Sequence, residues 1–291
     1  VSACGSGSTS SFGIEQYVYN GNLVLPPGTC DDWVLSWTNC CRNYAITTLN
    51  VPGTQSTYVP ALLDNTISPC NNSPIFNNIP TPLVCLNQPV TYNHGVTDPD
   101  GDELRFSLVD CFQDQGVPVS YSTPYSSTNL LATSTGVSID SVTGEIRFTP
   151  NQVQIGVICV KVEDYRGGVK IGEIIRDMQF SVLNCNNSPP VASGVNGDTT
   201  NYALNACIGA ELCFDIDMYD PDSDNVTATW NQGIPSGLLT FANLGSQNPS
   251  ARFCWPPTNS DTGTHFFTVT VEEDNCPWIG VADYACTGND V

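Results

Sequence analysis

The sequence predicts an all-β chain of tandem β-sandwich domains, rich in disulfides. Three observations carry that expectation. An acidic loop is duplicated: Asp98-Pro99-Asp100-Gly101-Asp102 begins 13 residues after Cys85, and Asp220-Pro221-Asp222-Ser223-Asp224 begins 13 residues after Cys207. The segments CLNQPVTYNHGVTDPDGD and CIGAELCFDIDMYDPDSD therefore align without a gap. A linker is duplicated too: Cys70-Asn71-Asn72-Ser73-Pro74 returns 115 residues later as Cys185-Asn186-Asn187-Ser188-Pro189, a spacing of one sandwich repeat. Finally, Gly, Pro, Ser, Thr and Asn are abundant, and no long stretch carries a helical apolar period.

Charge and cysteine usage bound the partners and the compartment. Only 8 basic residues stand against 29 acidic ones in 291, a formal charge of −21. Nucleic acid and anionic membrane surfaces both require a basic face and are excluded as partners. The 14 cysteines include no CxxC spacing, and only 2 histidines are available to share a metal. Disulfides therefore win over zinc and redox readings, which places the chain in an oxidising, extracellular setting. No run of 18 apolar residues and no charged-then-apolar leader is present, so no direct membrane insertion is expected.

In chain order, residues 1–76 read as a Cys/Trp-rich β block, with few enough strands to be a partial sandwich. Tyr17-Val18-Tyr19, Leu23-Val24-Leu25, Ala45–Leu49 and Tyr58–Leu63 are its strand candidates. Trp33, Trp37 and Tyr44 are either a carbohydrate-stacking surface or a small core between disulfides, the second being the commoner use of such residues. Residues 77–187 form the next domain. Val90, Tyr92, His94 and Val96 alternate into the acidic loop; Leu104, Phe106 and Leu108 follow, then Gly144–Pro150, then Ile158, Val160 and Val162 ending at Glu163-Asp164, then Ile174–Leu183. Residues 188–291 repeat the order with inward Leu212, Phe214, Ile216 and Met218, then Ala251–Pro257 and Phe267–Asp274. The last strand, at Val281–Ala285, looks short.

Three aspartates in five residues repel one another by roughly 1 kcal/mol per close pair even in water. Hard oxygen ligands around a tight bend suit Ca²⁺ better than a transition metal, while a solvated polar turn is the competing reading. Strand direction brings Asp98, Asp100 and Asp102 together with Glu163, Asp164, Asn71 and Asn72. In the second copy it gathers Asp220, Asp222 and Asp224 with Glu273, Asp274, Asn186 and Asn187. The expected ligands are Asp98, Asp100, Asp102, Asp164 and Asn72 at one joint between domains, and Asp220, Asp222, Asp224, Asp274 and Asn187 at the next. Ca²⁺ is thus the expected cofactor, stiffening the array.

Strand parity also places disulfides. Cys213 and Cys254 are out of phase with inward Leu212, Phe214, Phe253 and Trp255, so they are expected to pair across neighbouring strands; Cys111 and Cys159, likewise outward, are expected to pair with each other. Cys40 and Cys41 are expected to go to different partners. Asp140-Ser141-Val142 and Asp198-Thr199-Thr200 match an acceptor pattern for O-glycans at Ser141 and Thr199.

The run DPDGDELRFSL, then TGEIRFTP, then VICVKVEDYRGG, resembles the cadherin-like and immunoglobulin-like tandem repeats of bacterial surface proteins. More narrowly, CDDWVLSWTNCCRNYAIT with YVPALLDN, NNSPIF, TYNHGVTDPDGDEL and IIRDMQFSVLNC is similar to large secreted Bacteroidota proteins of the gliding-motility-associated type. The match spans roughly residues 28–290 and is most specific in the first two blocks. This resemblance implies export to the outer cell surface and a non-catalytic structural or adhesive role, as a stalk or filament subunit. Its partners would be other copies of itself or other surface proteins. The alternative is a glycan-binding module in which Trp33 and Trp37 do the binding. Catalysis finds little support: His94 aligns with Ile216 on the inward face, and His265 has no partner motif.

Overall fold

The computed structural model describes residues 17–289, apart from 27, 29, 79, 81, 186 and 275–278; in 279–289 it describes the backbone and the side chain of Cys286. No α-helix occurs among these residues, and no helix is long and apolar enough to cross a membrane. The chain divides into two compact units, Gly21–Cys185 and a second that holds the chain after Cys185 together with the described residues before Gly21.

In Gly21–Cys185 the strands are β1 (Trp33–Asn39), β2 (Thr57–Leu63), β3 (Ile75–Phe76), β4 (Leu83–Cys85), β5 (Val90–Tyr92), β6 (Val96–Thr97), β7 (Glu103–Val109), β8 (Phe112–Asp114), β9 (Val117–Pro118), β10 (Ser138–Ile139), β11 (Ile146–Phe148), β12 (Gln154–Arg166) and β13 (Val169–Leu183). One sheet runs β7-β12-β13, with β4 parallel to the end of β13; the other is β10-β11-β5. Between them Tyr92, Phe148, Ile158, Val160, Met178 and Phe180 are buried, with Phe180 edge-on to both Tyr92 and Phe148.

Residues 1–76 were expected to form a separate block; from Gly21 onward the strand pairing instead joins them to the sandwich that follows. Strand β2 joins the edge of β13, with Ala61–Leu63 opposite Gly172–Ile174, and β1 pairs with β2 along its whole length. Ile46 and Leu49 then pack with Val157 and Cys159 on the face of β12 turned away from the sandwich core. Strand β12 is consequently buried on both faces, as its continuous apolar run IGVICV demands.

The second unit is a four-on-four sandwich. Its strands are β14 (Val191–Ala192), β15 (Ala203–Cys207), β16 (Leu212–Tyr219), β17 (Val226–Trp230), β18 (Leu238–Ala242), β19 (Ser250–Trp255), β20 (Gly263–Glu273) and β21 (Ile279–Asn289). The sheets are β14-β16-β19-β18 and β15-β21-β20-β17, with β15 parallel to β21. The last strand, expected to be short, pairs with β20 from Gly263 to Glu272. Phe214, Ile216, Met218, Phe253, Trp255, Phe267, Val269 and Val271 fill the interior at the positions that period-two alternation assigns. The ring of Phe253 stacks on Phe267 at 4.3 Å, and Trp255 Nε1 donates to Ser236 Oγ at 3.0 Å.

Cys213 lies directly opposite Cys254 in the ladder and is bridged to it, and Cys111 is bridged to Cys159; these are the pairings that strand parity predicts. Cys111 and Cys159 lie on the outward face, as expected, and are nonetheless fully buried there, because Ile46 and Leu49 cover them. Cys85 and Cys185 form a third bridge beside the parallel β4–β13 pair. Cys40 and Cys41 are bridged to each other rather than to different partners: the peptide between them is cis and brings their Cα atoms to 3.0 Å.

Two acidic clusters as the candidate functional site

Both acidic loops close in the same way. Asp98 Oδ1 accepts the backbone N–H groups of Asp100 (2.9 Å) and Asp102 (3.1 Å), while its carbonyl accepts that of Gly101. Asp220 Oδ1 does the same for Asp222 (2.7 Å) and Asp224 (3.2 Å), and its carbonyl accepts the N–H of Ser223. Aspartate is the natural residue for such a turn because its side chain bonds its own backbone two residues on. The bend requires a positive φ, +77° at Gly101 and +69° at Ser223.

The third residue of each loop segment, Asp100 or Asp222, clamps the linker rather than facing inward. Asp100 accepts the backbone N–H (2.7 Å) and side-chain Nδ2 (2.8 Å) of Asn72, and Asp222 accepts the N–H of Ser188 at 2.5 Å. The Asn72 bonds, led by its backbone N–H, hold the Asp100 carboxyl below the usual range. Asn71 donates to Asp164 at 2.6 Å, and Asn187 donates to Glu273. Roles in the two linkers are therefore offset by one residue from the CNNSP alignment: Asn71 matches Asn187, and Asn72 matches Ser188. Asn186 lies outside the described residues.

What remains facing inward is a triad in each copy. One carboxylate oxygen from each of Asp98, Asp102 and Asp164 lies within 4.8 Å of the others, and the same holds for Asp220, Asp224 and Glu273. Asp274, expected as a ligand, is displaced by Glu273: in β20 the inward positions are Phe267, Val269, Val271 and Glu273, and Asp274 turns out to accept the N–H and Nδ2 of Asn225. Glu163 is likewise outward, paired with Lys161 at 3.0 Å and Lys170 at 3.4 Å. Gly172, opposite Asp164 in the ladder, leaves room for its carboxylate; a Cβ there would lie 2.5 Å from Oδ1.

The two triads differ in their counter-charge. Arg166 lies over the first: its Nε and Nη2 grip both oxygens of Asp102 (2.7 and 2.6 Å), Nη2 also reaches Asp100 Oδ2 and Asn71 Oδ1, and Nη1 donates to Ser68 Oγ at 2.6 Å. These bonds, those to Asp102 foremost, hold the guanidinium firmly protonated. Over the second triad no Lys or Arg is found among the described residues. Arg252 is the sole Lys or Arg in residues 186–291, and it pairs with Asp215 at 2.9 Å. Asp220 is 6% exposed and Glu273 8%, and neither Asp220 Oδ2 nor Glu273 Oε2 has a hydrogen-bond partner among the described residues. Burial, and then the neighbouring Asp220 and Asp224, push Glu273 up to about 9. Burial raises Asp98 and Asp164 in the first triad as well.

The other candidates are dispersed. Trp37 and Tyr44 are exposed rather than in a small core; Trp33, Leu35 and Trp37 alternate along β1. Ser141 and Thr199 lie in exposed turns. His94 is fully buried among Phe76, Tyr92 and Phe106, and burial followed by nearby Arg176 lowers it to about 3, so it stays neutral. His265 meets Trp255 edge-on and the carbonyl of Asp261.

The topology defines the class of protein: immunoglobulin/cadherin-like β-sandwiches, in which the second unit reproduces the two-sheet strand order of the immunoglobulin fold. No family model and no curated protein matches the sequence. Among solved structures, the chain is similar to an endo-fucoidan hydrolase of glycoside hydrolase family 107 at 14% identity, with 92% of this chain against 43% of that one and a TM-score of 0.25. It is also similar to the titin domains z1z2 in complex with telethonin (9% identity, 76% and 99% coverage, TM-score 0.24). A third similarity is to the protocadherin gamma B7 extracellular cadherin domains 1–4 (12%, 89% and 65%, TM-score 0.25). The chain thus spans less than half the length of the hydrolase, and none of these likenesses bears on activity.

Proposed function

We propose that the chain is a non-catalytic structural or adhesive module, working outside the cell as a calcium-stabilised stalk or filament subunit at the bacterial surface, with other copies of itself or other surface proteins as partners. The observation that carries this reading is the second triad, where buried carboxylate oxygens converge with no protein cation among the described residues to offset them. Asp220, Asp224 and Glu273 are hard ligands of the kind Ca²⁺ prefers. The bound ion would supply the positive charge the segment lacks and lock the linker through Asn187 and Ser188. The first cluster sits inside the unit 21–185, so calcium there would not bridge two domains.

Calorimetry of the full chain with calcium and with chelator tests the reading. Calcium at a hundredfold over its dissociation constant is expected to add about 2.7 kcal/mol, and superimposed melting curves would remove the cation from the proposal. A glycan-binding role is the second reading, favoured by exposed Leu35 and Trp37, with half-buried Trp33 in the same phase, on an edge strand. A glycan array probed with the chain and with Trp37→Ala decides it: a signal lost in the variant supports binding, and no signal from either excludes it for the arrayed glycans.

A further inference from the structure

The two acidic clusters descend from one pattern, yet only one has a protein cation over its carboxylates. We propose that Arg166 is the resident counter-ion of the first cluster, so that divalent cations bind the chain at the second cluster alone. This rests on the calcium reading given above and narrows it to one ion per chain.

The geometry argues for the substitution. A guanidinium that bonds both oxygens of Asp102, and touches Asp100 as well, occupies the lone pairs an ion would need. It is also anchored from the uncharged side by Ser68 and Asn71, so it is held in place rather than swinging in solvent. Net charge follows the same division. In the first cluster Arg166 pairs with Asp102 and Asp100, although Asp98 Oδ2 has no hydrogen-bond partner among the described residues; in the second, Asp220, Asp224 and Glu273, with Asp222 beside them, pair with no Lys or Arg among the described residues. Asp220 and Glu273 are over nine-tenths buried, and each has one carboxylate oxygen without a hydrogen-bond partner among the described residues, in a triad whose oxygens lie within 4.8 Å of one another. Burying such charge without a partner is costly, and an ion of charge +2 with oxygen preference is the chemical class that relieves it.

Equilibrium dialysis of Ca²⁺ against the full chain reads the stoichiometry directly. One ion per wild-type chain is expected, lost in Asp220→Asn and kept in Asp98→Asn. Arg166→Gln, which frees both oxygens of Asp102 while retaining a hydrogen-bonding side chain, is expected to bind two. Two ions on the wild type, or a single ion lost in Asp98→Asn, would overturn the role of Arg166 and leave the calcium reading standing. No ion on the wild type would overturn the calcium reading itself. Because the Asp98→Asn and Asp220→Asn arms decide the site in the wild-type background, the outcome does not depend on Arg166→Gln folding.

Discussion

Arg42→Ala is expected to destabilise the unit 21–185 by about 3–5 kcal/mol, the cost of breaking a buried ion pair by removing one partner, and to lower its melting temperature on the order of 10 °C. Arg42 is buried, and its Nη1 and Nη2 hold Asp177 Oδ1 and Oδ2 at 3.0 and 2.6 Å. Nε and Nη2 also reach the carbonyls of Ser56 and Phe112, at 3.0 and 3.1 Å. Alanine leaves the Asp177 carboxylate buried against β12 with its charge uncompensated, and leaves two carbonyls short of a donor. The double change Arg42→Met with Asp177→Leu removes both charges and is expected to recover most of the loss. Urea unfolding measures both. A single substitution costing under about 1 kcal/mol would mean that the N-terminal segment docks by apolar contact alone. The same result would weaken the merger of 21–76 with the sandwich, since Arg42 lies in that segment and Asp177 in β13.

How far this architecture is legible in the sequence depends on whether one face or two are buried. Phe214, Ile216 and Met218 alternate with Cys213, Asp215 and Asp217, so the inward face of β16, its partner Phe253-x-Trp255 and the bridge Cys213–Cys254 all follow from a period of two. Strand β12 breaks the alternation because Ile46 and Leu49 pack on its second face, and nothing local in residues 40–50 announces that destination. Parity held more information about the acidic site than alignment did. Ile158, Val160, Val162 and Asp164 are in one phase, as are Phe267, Val269, Val271 and Glu273, so continuing the inward phase selects Glu273 over Asp274. The one-residue offset between the linkers is invisible to identity matching, which does not know which side chain turns in. Arg166, two residues after Asp164 in VEDYRGG, was in plain view; it is recognised only when the net charge of each cluster is counted separately.

With calcium removed, the second unit is expected to lose stability as pH rises from about 4.5 to about 9, opposite to the usual behaviour of a paired carboxylate. The direction follows from Glu273. Burial, with Asp220 and Asp224 beside it, raises its carboxyl from 4.5 to about 9 in the folded chain. Between those values the folded state keeps a proton that the unfolded state has released, so unfolding loses protons and stability falls with pH, by up to about 1.4 kcal/mol per unit. The contribution is complete below about 4.5 and gone once pH passes about 9. Glu273→Gln carries a permanently neutral group into the same space and is expected to flatten this slope while weakening calcium binding. Saturating calcium is expected to flatten it in the wild type, because the ion favours the deprotonated form. Urea unfolding at pH 5, 7 and 9, in chelator and in calcium, with wild type and Glu273→Gln side by side, isolates the residue from every other titrating group. Equal slopes for the two proteins in chelator would mean that Glu273 is ionised in the folded chain, with its charge offset by something other than a metal.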